Sequence, residues 1–145
     1  MSSAFLGKGT QFQVESSPGS GTYVTIAEVL SIDGPDIQGS EVEVTNMDST
    51  GRNREYIAGL TDPGGVDLRM NFVPGNAQQE QILDDVQANP STTRSYRIRF
   101  AQLTPVRRLD FSGFILNAPY SIPVDSQVTQ SVRVRVSGVV TRVQE

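Results

Sequence analysis

The chain has 145 residues, a net charge of −4, and 37% hydrophobic against 19% charged residues, which is enough apolar material for one domain with its own core. It contains no cysteine and no histidine, so disulfides, thiolate or imidazole metal sites, cysteine nucleophiles and Ser-His-Asp machinery are all excluded. No segment approaches the run of about 18 apolar residues that a membrane span needs, and the short apolar patch in Met1–Lys8 does not read as a signal peptide; the expectation is a soluble protein made in a cytoplasm.

In chain order, Thr10–Glu15 reads as a short strand, and Ser16-Ser17-Pro18-Gly19-Ser20-Gly21-Thr22 as a turn-rich break. This makes residues 1–22 an N-terminal arm with a first strand, outside the core. Tyr23–Asp33, with Val24, Ile26, Val29 and Ile32, reads as one long strand. Glu41-Val42-Glu43-Val44-Thr45 alternates with acids on one face. Residues 46–54 are polar and aperiodic, an exposed loop, and Glu55–Leu60 is a short strand. Asp62-Pro63-Gly64-Gly65 supplies turn chemistry.

Four later stretches carry the clearest period of two. Val66, Leu68, Met70 and Phe72 oppose Asp67, Arg69 and Asn71; Tyr96, Ile98 and Phe100 oppose Arg97 and Arg99. Leu109, Phe111, Gly113 and Ile115 form a third row, although Phe114 and Leu116 make that strand apolar on both faces, and Val128, Val132, Val134 and Val136 oppose Thr129, Arg133, Arg135 and Ser137. One wet and one apolar face is the pattern of antiparallel sheet packed on a single side. A helix is expected over Ala77–Asn89: Asn76 is an N-cap, Gln79 completes a capping box, Pro90 ends it, and Ile82, Leu83 and Val86 share a face away from Asp84, Asp85 and Gln87. The fold class is therefore mainly β, an antiparallel sandwich with one flanking helix, in a single domain over 1–145.

Charge is segregated along the chain: residues 1–48 carry net −6, 49–90 net −3, and 91–145 net +5. Such a chain has unlike faces suited to head-to-tail contact between copies. Arg97, Arg99, Arg133 and Arg135 would be ion-pair partners between subunits. A nucleic-acid reader would add lysine and exposed aromatics, whereas this chain has one lysine and no tryptophan. Gly7-Lys8-Gly9-Thr10 lacks the context of a phosphate loop, and the acid pairs Asp33/Asp36 and Asp84/Asp85 lack calcium-loop spacing; they read as turn and helix-surface residues.

The ordered set of these elements, from Thr10 to Val143, resembles the tail tube proteins of long-tailed, non-contractile bacteriophages. That resemblance implies a tail-tube fold closing into hexameric rings through a shared β-barrel, with the rings stacked into the hollow tube that conducts phage DNA to the host. It implies a virion protein made in the bacterial cytoplasm, with no catalytic residue, no cofactor and no metal. The partners it implies are further copies of the chain, a tape measure protein inside the tube, tip and terminator proteins at its ends, and transiently passing double-stranded DNA. Loop 46–54 corresponds to an inter-ring loop, giving Asn46, Asp48, Arg52 and Arg54 as contact candidates beside the four strand arginines. The arginine rows leave the sign of the lumen charge open. Two alternatives stand beside this reading. One is a tube subunit of a contractile tail or secretion needle. The other is a monomeric carbohydrate- or ligand-binding β-sandwich, for which the absence of tryptophan and the scatter of Tyr23, Tyr56, Tyr96 and Tyr120 are unfavourable.

Overall fold

The computed structural model describes residues 4–48, 51, 53–88, 90 and 92–145. Their elements are β1 (Thr10–Glu15), β2 (Tyr23–Thr25), β3 (Val29–Asp33), β4 (Glu41–Glu43), β5 (Tyr56–Ala58), β6 (Gly65–Asn71), α1 (Ala77–Gln87), β7 (Arg94–Phe100), β8 (Arg107–Asn117), β9 (Tyr120–Ser121) and β10 (Thr129–Gln144). One antiparallel sheet runs in the order β2-β1-β7-β8-β10-β6-β3, with β9 also on β10, while β4 and β5 pair only with each other.

The long strands β8 and β10 form the spine, paired from Arg133↔Asn117 to Gln144↔Arg107. On one side of the ladder, Arg107–Gly113 carry β7, and β7 carries β1 and β2. On the other, Thr129–Arg135 carry β6, which carries β3. The pairing slips between Arg133 and Val134 and between Ser137 and Thr141. Bulges of this kind raise local twist and let one sheet turn over on itself. β1 thereby comes against β3 across the interior, and the sandwich expected from the sequence is a single folded sheet.

The alternating rows meet inside. Phe12, Val14, Tyr96, Ile98 and Phe111 pack against Val66, Leu68, Met70, Val132 and Val134, with Ile115 and Val136 in the same cluster. The rings of Phe12, Tyr96 and Phe111 lie 5.8–6.4 Å apart. Gly113 lies between β7 and β10 where a Cβ would press on the Arg135 carbonyl, so the close strand approach there requires glycine.

Three expectations change. Tyr23–Asp33 is not one strand: it breaks at Glu28, whose φ is +61°, and β2 and β3 join different halves of the sheet. The break is held by Asn71, which donates its backbone N–H to the Glu28 carbonyl (2.9 Å) and its side-chain amide to the Glu28 carboxylate (3.0 Å). The first strand is not part of an arm, because Phe12 and Val14 are buried and β1 lies between β2 and β7. Asp85 is not on a wet helix face. It is 3% exposed and takes a bidentate grip from Arg94 (Nε–Oδ2 2.6 Å, NH2–Oδ1 3.0 Å), whose NH1 reaches the Ser16 carbonyl at 3.3 Å.

This pair ties α1 to the start of β7 and the end of β1, closing one end of the layers with Ile82 inside. Asn76 caps the helix by accepting from the Gln79 N–H (3.2 Å), but the reciprocal half of the capping box is absent. The buried Gln79 side chain instead accepts from the Val73 N–H and donates to the Asn71 carbonyl, both at 2.9 Å. Ala88 is already extended, and Asn89 lies outside the described residues. At the other end of the sheet, the Glu145 carboxylate receives Arg99 (3.0 Å) and Arg108 (2.9 Å). These guanidiniums hold its carboxyl below the ordinary carboxylate range.

Asp85→Ala leaves the Arg94 charge buried without its partner and should cost about 3–5 kcal/mol, read as a lowered urea midpoint. Gly113→Ala should cost about 1–3 kcal/mol by forcing β8 from β10, measured in the same way. A depressed folded-state carboxyl contributes stability that is present above its unfolded pKa and lost as pH falls through the folded value. Amide protection at Gln144 and Glu145, corrected for intrinsic exchange, should therefore drop below about pH 4 while that of Val132–Val136 persists.

Candidate assembly surfaces

β4 and β5 make a two-stranded ribbon that stands apart from the sheet. Its register pairs Glu41 with Ala58, Val42 with Ile57 and Glu43 with Tyr56. Bonds from Gln38/Asp62 at the root to Val44/Glu55 near the tip continue the ladder, giving a length of about 25 Å at the usual rise per residue. Opposed residues share a face, so Val42 and Ile57 lie on one side, and Glu41, Glu43, Tyr56 and Ala58 on the other. Every residue of both strands is exposed. The alternation seen in the sequence is real, but its apolar row lies outside the buried core, with Val42 49% and Ile57 54% exposed. An isolated two-stranded ribbon is marginal in water; this one is anchored to the main sheet at its root.

The root is built by Asp62-Pro63-Gly64-Gly65. The Asp62 carboxylate accepts from the Gly64 N–H (2.8 Å) and from Arg135 (2.9 Å), and these two bonds depress its pKa. Gly64 has φ +70°, and a Cβ there would collide with the Asp36 carbonyl.

At the ribbon tip, Asn46 accepts from the Asp48 N–H (2.8 Å), and Arg54 is 3.9 Å from Glu43 with both side chains largely in solvent. Arg52 lies outside the described residues. The four strand arginines lie on the polar face of the sheet, away from this tip, and each meets a carboxylate of its own chain. Arg97 meets Asp110 (3.0 Å) and stacks on Tyr23 (3.8 Å to the ring centre), and Arg99 meets Glu145. Arg133 meets Asp67 (2.8 Å) and Arg135 meets Asp62. Arg108 joins Asp110 to Glu145, so Arg97, Arg108 and Arg99 form one continuous chain of ion pairs.

Other exposed apolar groups escaped the sequence reading. Ile122 is 74% exposed and Val124 fully so, on the segment between β9 and β10. Past Arg135, β6 has ended, and Val139 stands 83% exposed on that side of β10. With Ile37, Thr61, Pro63, Gly138 and Val140 it lines an open cleft of about 510 Å³ beside the ribbon root. Among the described residues no three His, Cys, Asp or Glu side chains gather as a metal site, and no helix is long and apolar enough to cross a membrane.

Comparison with known proteins gives the family. The sequence profile described as "Lambda phage tail tube protein, TTP" matches residues 4–142. No curated protein matches the chain. Among solved structures, the SPP1 tail tube has a TM-score of 0.73 at 15% identity, over 98% of this chain and 80% of that one. The tail of an empty GTA particle, refined with C6 symmetry, gives 0.70 at 18% identity, over 95% and 98%. The sheath–tube complex of PVC, an extracellular contractile injection system, gives 0.70 at 17% identity, over 94% and 88%. With the profile spanning nearly its whole length, the chain belongs to the lambda phage tail tube protein family, as a structural subunit of the phage tail.

Proposed function

We propose that copies of this chain close into hexameric rings and stack into the hollow tail tube that carries phage DNA, acting by assembly and not by catalysis. The observation that carries this reading is the β4–β5 ribbon: an exposed, amphipathic element that pairs with no other strand among the described residues. Val42 and Ile57 lie exposed side by side on one face of it, with Tyr56 exposed on the other, apolar surface that a neighbouring copy can cover. The sixfold symmetry of the GTA tail supports six copies per ring, and closure would cover the open strand edges.

The tip residues Asn46, Asp48, Arg52 and Arg54 then lie at contacts between copies. Arg97, Arg99, Arg133 and Arg135 serve chiefly to hold the subunit's own sheet, because their carboxylates are already in place. A tube of this kind has a tape measure protein within it during assembly, tip and terminator proteins at its ends, and DNA passing through it after assembly. The likeness to the PVC tube favours one second reading, a tube inside a contractile sheath; the family profile favours the plain tail.

Negative-stain electron microscopy of concentrated protein should show rings or hollow tubes of uniform width. Replacing residues 41–58 by a short Gly-Ser linker removes no residue of the core, so the thermal midpoint should move by no more than about 5 °C while tubes disappear. Small particles only, from the unaltered chain at high concentration and over days, would sink the reading.

A further inference from the structure

At the end of the sheet farthest from α1, two arginines occupy positions that the alternation reserves for the core. Leu109, Phe111, Gly113 and Ile115 mark the inward row of β8, and Arg107 continues it; Arg107 stands directly opposite Phe100 on β7. Arg142 of β10 stands directly opposite Leu109, on the same inward side. Both arginines are exposed, and neither has an ion pair among the described residues. Around them Phe5, Phe100, Leu103 and Leu109 floor a groove of about 490 Å³, with Phe5 packed edge-on against Phe100 at 5.8 Å. Elsewhere on this sheet, Arg94, Arg97, Arg99, Arg108, Arg133 and Arg135 each have a carboxylate; Arg69 on β6 is also without one among the described residues, but it lies on the outer face of the sheet, not in the inward row. A pair of unmatched cations beside an apolar floor is the complement of an acidic, partly apolar surface.

The chain carries such a surface on the ribbon. Glu41 and Glu43 share a face with Tyr56 and Ala58, and among the described residues Glu43 has only the long 3.9 Å contact to Arg54. Two residues apart on a strand, the glutamates are separated by about 7 Å. Arg107 and Arg142 are diagonal neighbours across β8 and β10, about 7–8 Å apart. The spacing, the sign of the charge and the apolar content all agree. We propose that the groove flanked by Arg107 and Arg142 receives the Glu41/Glu43 face of the ribbon from a second copy of the chain. This rests on the tube reading and names the surface that receives the ribbon. The contact is heterologous, a ribbon on one copy and a groove on the next, so it propagates instead of closing a pair. Val42 and Ile57, on the opposite ribbon face, remain for a further contact.

Charge exchange tests it. Glu41→Arg/Glu43→Arg and Arg107→Glu/Arg142→Glu should each raise the protein concentration needed for tubes by about tenfold or more, and all four changes in one chain should restore assembly. All sites are exposed, so circular dichroism should show every variant folded. The cysteine-free background adds an independent readout: Tyr56→Cys and Leu103→Cys chains, mixed under mild oxidant, should cross-link to each other faster than either does to itself. If the two charge variants assemble like the parent, or the four-fold variant stays unassembled while folded, the docking is wrong and the tube reading stands. If the parent chain forms no rings or tubes, the tube reading fails instead, and the cross-link decides the docking: selective cross-linking supports it and its absence overturns it.

Discussion

The pairing of β8 with β10 is the constraint from which the rest of this molecule follows. Nine residue pairs hold the two strands from Asn117 to Arg107, and every other strand of the main sheet hangs from one half of that ladder or the other. Because the ladder slips at Arg133/Val134 and again between Ser137 and Thr141, the halves turn toward each other and their apolar rows share one interior. The helix then has a defined place, closing an end of the fold with Ile82 inside and Asp85 clamped by Arg94. What does not fit between the two halves is left outside: the ribbon, the segment after β9, and the edge of β10 beyond β6.

Polar groups inside the fold are spent on fastening. Gln79 splices the helix start to the end of β6, and Asp85–Arg94 joins the helix to β1 and β7. A buried ion pair is poor evidence of net stabilisation, since desolvation offsets much of its attraction. Its geometry is specific: the bidentate grip joins Asp85 of α1 to Arg94 at the start of β7 through two directed bonds.

Much of the sheet was legible because one face is dry. Val66–Asn71, Tyr96–Phe100 and Val132–Val136 alternate cleanly, as a strand packed on one side does, whereas Phe114 and Leu116 make the Leu109–Ile115 stretch apolar on both faces. The helix start was legible from Asn76. What escaped reading depended on partners distant in sequence. Glu28 carries no turn signal, and its left-handed conformation is secured by Asn71, 43 residues on. Asp85 looks like a surface acid until β7 brings Arg94 to it. The own-chain carboxylates of the strand arginines are hidden because register is invisible in a sequence. Arg133 lies opposite Asp67, and Arg97 opposite Asp110, only once the strands are aligned. Arg107 and Arg142 passed unnoticed for the same reason, since nothing local says that they continue an inward row.

The ion pairs that lace the outer face have one more consequence. They join guanidinium to carboxylate throughout, and the chain has no histidine or cysteine to titrate between these extremes. The absence of histidine and cysteine thus removes the two side-chain types that usually make a protein surface respond to acidity near neutrality, and the guanidinium–carboxylate lacing carries none of that sensitivity itself.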